Sequence, residues 1–114
     1  MNRLYLMPSE GMVTSDLKLY TAEAIQKAIE STKGKVLPLY YTKWNEFGRL
    51  EKHLIGRCSE FYIDDADIYT DVISMEEGYE DFRLPEEGFV TGKMVMNKNK
   101  IVSDLKVESV YVIK

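Results

Sequence analysis

Ser109 and His53 are the two residues whose types could perform covalent chemistry together. A serine hydroxyl attacks only beside a base that approaches to about 2.6–3.2 Å, directly or through one water. The chain contains a single histidine, so His53 is the imidazole available to it. Lys52 and Arg57 stand near that histidine in the chain. A second constellation lies nearby, where Tyr40, Tyr41, Trp44 and Phe47 are followed by Arg49, Lys52, His53 and Arg57. Aromatic faces beside cations hold a nucleotide or a single-stranded segment by stacking and phosphate pairing, which makes Tyr40, Trp44, Arg49 and Arg57 a candidate ligand-binding set. Glu46 and Glu51 neutralise part of that charge. The acids Asp64, Asp65, Asp67 and Asp71 lack the glycine and distal glutamate of a calcium loop, so no metal or cofactor is expected. Cys58, inside an apolar run, reads as a small buried residue rather than a reactive thiol.

These residues must be placed by local structure. Thr21 is a helix N-cap, and behind it Ala22, Ile25, Ala28 and Ile29 recur at helical spacing until Lys33-Gly34, predicting one principal helix over about 22–32. Arg3 to Met7 reads as a strand that Pro8 and Gly11 punctuate, and Lys35 to Trp44 as a strand with Pro38 at its start or at an edge. Asn45 to Lys52 reads as a polar loop. Leu54–Ile63 and Ile68–Ile73 form a hairpin around an acidic turn, Met75 to Gly88 is a solvated connection with room for a short helix, and Phe89–Met96 pairs with Ile101–Ile113. In the last strand, alternation puts Leu105, Val107, Ser109, Tyr111 and Ile113 on one face, while Val110 and Val112 make the other apolar too. Ser109 is therefore expected to point inward or into a groove.

The whole pattern predicts an α+β fold: a mostly antiparallel, curved sheet or small β-barrel carrying one helix. With 114 residues, 45% of them apolar, residues 1–114 are expected to form a single domain. A formal charge of −4 argues against a general nucleic-acid or anionic-membrane binder, while leaving room for a local basic patch. One cysteine excludes an intramolecular disulfide and suits a reducing compartment. No run approaches the roughly 20 apolar residues of a membrane span, and the N-terminal residues lack a signal-peptide apolar region. A soluble, unsecreted protein is expected.

The segments YTAEAIQKAIESTKGKVLPLYY (20–41), HLIGRCSEFYIDDADIYTDV (53–72) and IVSDLKVESVYVI (101–113) follow in an order that resembles the phage prohead, or head maturation, proteases. That resemblance implies a compact β-barrel with flanking helices, a serine nucleophile on the late strand at the position of Ser109, and a histidine base just after the Leu37-Pro38-Leu39 strand. The chain departs from it there, because Tyr40 to Asn45 contains no histidine and His53 stands closer to the following strand. The chain is also shorter than a working member. The expectation is a non-catalytic structural or interaction protein of phage origin, in the host cytoplasm or virion, that meets capsid or scaffold proteins or further copies of itself. Two alternatives stand beside it: a serine endopeptidase using Ser109 and His53, and a small nucleotide-binding module built on residues 40–57.

Overall fold

The structure, a computed structural model, describes residues 2–8 and 18–113; the loop expected around Gly11 lies outside them. Eight strands and one helix follow in the order β1 (Arg3–Pro8), β2 (Leu19–Tyr20), α1 (Ala22–Ser31), β3 (Leu37–Trp44), β4 (Leu50–Cys58), β5 (Tyr62–Asp64), β6 (Asp67–Met75), β7 (Phe89–Met96) and β8 (Ile101–Ile113). Strand accounts for 56% of the structure and helix for 10%, so the fold is mostly β rather than the expected α+β. The sheet is mixed: five of its strand pairings are antiparallel, as expected, but β2 and β3 both run parallel to β8.

Nor does the sheet close into a barrel. Its order is β1-β6-β4-β3-β8, with β7 on the far side of β8 and β5 beside β6. Between β1 and the chain entering β7 there is one isolated bridge, Tyr5 to Glu87. Tyr5 donates its amide to the Glu86 carbonyl at 2.9 Å and accepts from Gly88 at 2.9 Å. A barrel needs a continuous ladder at that seam, and Pro85, with no amide to donate, stands just before it.

Helix α1 starts where the sequence predicts, with the Thr21 hydroxyl accepting from the Ala24 amide at 3.1 Å. The helix fills the gap along β8 between β2, which pairs at Ile101–Val102, and β3, which pairs at Val110–Ile113. Ser31 satisfies one of the strand amides left free there, accepting from Val107 at 3.1 Å. Ala24, Ile25 and Ala28 are buried against the same core as Leu39, Val107, Val110 and Val112, so the helix covers one face of the sheet. The 76–88 connection contains no helix; Tyr79, Phe82 and Leu84 fold back from it onto the core.

Strand β8 carries two irregularities that the alternation pattern misses. Against β7, Val95 pairs with Asp104 but Met96 with Val102, and Thr91 pairs with Ser109 but Gly92 with Val107. Ser103 and Glu108 are the extra residues, and each bulge shifts the phase of the strand. Leu105 and Val107 face the core before the second bulge, and Val110 and Val112 face it afterwards. Tyr111 and Ile113 are thereby turned to the opposite face.

Candidate functional site

The register of β4, β3, β8 and β7 defines the face opposite α1, because residues directly paired across a sheet share a side. One row across it is Leu54, Tyr40, Tyr111 and Phe89. The rings of Phe89 and Tyr111 stack with centroids 5.4 Å apart, and the Lys52 ammonium lies 4.5 Å from the centre of the Tyr40 ring. The next row holds Lys52, Thr42 and Ile113, and the last holds Leu50 and Trp44. Beyond Tyr40 in the other direction come Arg57 and Pro38.

Trp44 and Leu50 belong to a projecting hairpin. The last β3–β8 pair is Thr42 with Ile113, and β4 meets β6 only from Gly56 onward, so, among the described residues, 43–51 extend as two strands alone. The expected polar loop is therefore only the turn at residues 45–49. Asn45 builds it: its side-chain carbonyl accepts from the Phe47 and Arg49 amides, each at 2.9 Å, and Gly48 supplies the left-handed residue at φ +73°. Nothing in that turn requires an aromatic at 47, yet Phe47 stands 79% exposed, beside Trp44 at 71%.

Of the predicted ligand-binding set, the structure brings Tyr40, Trp44 and Arg57 onto one face and leaves Arg49 at the base of the turn. Arg57 makes a half-exposed ion pair with Glu76 at 3.3 Å. Tyr111 and Phe89, which complete the aromatic row, were missed because they lie about 50–70 residues downstream of Tyr40 and only the parallel β3–β8 pairing joins them. The alternation of β8, corrected for its bulge, would have placed Tyr111 there.

Ser109 and His53 are not brought together. His53 pairs with Tyr41, and Tyr41 with Val112, so the imidazole shares the core-side face of Val110 and Val112. Ser109, one residue before Val110, lies on the other face. Two strand spacings across and three residues along the strands put their backbones about 14 Å apart. Ser109 is buried at 6% exposure and its hydroxyl is hydrogen-bonded to that of Thr91. His53 Nε2 meets the Glu51 carboxylate at 3.3 Å, and its ring lies 6.3 Å from that of Tyr41. That hydrogen bond, and after it one from Asn45, hold the Glu51 carboxyl below its ordinary value.

The acidic hairpin is occupied locally: Asp64 binds Arg3 at 2.7 Å and Asp71 accepts from the Tyr62 hydroxyl at 2.7 Å. Among the described residues no cluster of histidine, cysteine and carboxylate groups could hold a metal, and no helix is long and apolar enough to cross a membrane. No family model, curated protein or solved structure matches the chain.

Proposed function

We propose that the chain is a non-catalytic interaction protein whose working surface is the outer aromatic face of β4, β3, β8 and β7. The observation that carries this reading is the exposure of Trp44 (71%), Leu50 (55%) and Ile113 (55%) on a face already lined by Tyr40, Tyr111 and Leu54. Scattered exposed apolar residues need no explanation, but a contiguous patch costs solubility and marks a contact surface. The buried Ser109–Thr91 hydroxyl pair, on the opposite face from His53, supports a binding role over hydrolysis. The setting we propose, phage particle assembly, rests on the sequence motifs of residues 20–41, 53–72 and 101–113 and does not include a closed barrel.

The test needs no partner. Threonine at positions 44, 50 and 113 keeps strand propensity while removing the apolar surface. If the patch serves contact rather than folding, the triple variant Trp44→Thr/Leu50→Thr/Ile113→Thr loses at most about 1.5 kcal/mol, the scale of the cross-strand pairs given up, and becomes more soluble. Calorimetry decides it. A loss above about 3 kcal/mol would show that these side chains hold the sheet together, and the surface reading would fall.

A further inference from the structure

We infer that the seam between β3 and β4 on this face binds single-stranded nucleic acid, with bases on Trp44 and Tyr40 and phosphates at Lys52 and Arg57. The inference deepens the proposed binding role and rests on it. Going down the seam, successive rows present Trp44, then Lys52 beside Thr42, then Tyr40, then Arg57 beside Pro38. Each row is two residues further along β3, about 6.8 Å, while β4 takes up one extra residue in a bulge between Leu54 and Arg57. Flat ring and cation thus alternate at a fixed interval. A single-stranded polynucleotide alternates flat base and anionic phosphate along its own length, and aromatic stacking with backbone neutralisation is how such strands are held without sequence preference.

Charge selects the same occupant. The chain carries a formal charge of −4, yet the paired positions of this face, from Arg57 to Trp44, hold two cations, with the one carboxylate paired to them, Glu76, at the rim beside Arg57. Lys43 and Glu51, paired with each other, lie on the reverse side of the hairpin. The seam's two cations are therefore placed to attract an anionic ligand. Both cations are free to change partner. Lys52 rests on the Tyr40 ring, so a phosphate that draws the ammonium aside also uncovers the ring for a base. The Arg57–Glu76 pair is half exposed, a class of contact worth little, and a phosphate can take the place of the carboxylate.

The shape fits too. An open sheet face cannot enclose a small molecule, and among the described residues the β3–β8 pairing ends at Thr42 and Ile113. A duplex, whose bases are stacked inside, cannot use the rings. The aromatic row continuing through Tyr111 to Phe89 offers further ring surface beside Tyr40.

The experiment titrates the intact chain with a labelled 12-nucleotide mixed-sequence DNA strand and with its duplex, following anisotropy and the emission of Trp44, the only tryptophan. The single strand should bind at least tenfold more tightly than the duplex and quench Trp44. Raising NaCl from about 50 to about 200 mM should weaken binding about sevenfold, from a slope near −0.7 per phosphate for two phosphates. Arg57→Gln should reduce that salt factor to about 2.6. Tyr40→Ala should weaken binding about fivefold or more, the loss of one stacked base. Equal affinity for duplex, an unaffected Tyr40→Ala or an unquenched Trp44 would overturn the inference. So would a stable dimer of the protein alone that Tyr40→Ala dissociates, since the occupant is then a second copy. Absence of strand binding while the threonine triple variant stays stable rejects the ligand and leaves the interaction face standing; collapse of that variant rejects the face itself.

Discussion

Gly92→Ala tests the bulge on which the geometry of the aromatic face depends. Gly92 pairs with Val107 where Glu108 is the extra residue of β8. A methyl group built there would fall inside contact distance of the Lys106 carbonyl oxygen, 2.9 Å from the Lys106 carbonyl carbon and 3.0 Å from the Val107 Cα. All three are backbone atoms, so no side chain can swing away; β7 must lift from β8 at the bulge. That movement costs about two ladder hydrogen bonds and exposes or strands their partners, about 2–4 kcal/mol in total. For a domain of this size each kcal/mol is roughly 4 °C, giving a fall in Tm of about 8–16 °C by calorimetry, with urea denaturation as the check on two-state behaviour. Gly88→Ala is the control. Its added carbon meets Leu4 Cδ1 at 3.2 Å and Leu6 Cδ2 at 3.3 Å, side-chain ends that can give way, and its cost should stay below about 1 kcal/mol. If Gly92→Ala lies within about 0.5 kcal/mol of the parent, the close approach of the two strands is not what sets the bulge.

Ser109→Ala removes one member of the Ser109–Thr91 hydroxyl pair and should cost about 0.5–1.5 kcal/mol in chemical denaturation, while the parent stays unlabelled by a fluorophosphonate; rapid labelling that requires His53 would reject the separation described above. Burial pushes the Cys58 thiol up to about 12, against a smaller opposing hydrogen bond with Thr70. The folded state therefore holds the protonated thiol more tightly than the unfolded chain does, so this contribution to stability is intact below about pH 8.5 and is lost as pH rises toward 12. At pH 8 a disulfide reagent should modify Cys58 only as fast as the protein opens, with the rate climbing in urea, and reaction at the speed of a free thiol without denaturant would refute the burial.

What could be read from the sequence was what local contacts decide. The Thr21 cap and the apolar stripe of α1 act within one turn of one another, and the turn from Asn97 to Lys100 is built by the Asn97 side chain accepting from the Asn99 and Ile101 amides. The β3–β4 hairpin was hidden for a physical reason. Its strands project past the core, so neither side of Leu50-Glu51-Lys52-His53 shows the apolar alternation that burial writes into a strand. The turn residues Asn45 and Gly48 are the available sign of the hairpin within a stretch that otherwise reads as a polar loop. The parallel pairing of β3 with β8 joins residues about 70 positions apart, and no local pattern announces it. Closure of the sheet failed for a similar reason: strand count and curvature are local, but whether β1 meets β7 is decided where Tyr5 meets the segment from Glu86 to Gly88.

The assignment of faces is where a single residue matters most. Strict alternation from Leu105 onward places Ser109 and Tyr111 with the core, and on that reading the serine is a buried candidate nucleophile and the tyrosine is packing. Inserting Glu108 as a bulge moves both to the outer side. Ser109 stays covered even there, at 6% exposure, with its hydroxyl bonded to that of Thr91. Tyr111 instead gains a place between Tyr40 and Phe89. One extra residue thus weakens the case for covalent chemistry and completes an aromatic row by the same displacement. Gly92 is the trace that this leaves in the sequence, because only a residue without a side chain admits the bulged backbone opposite it.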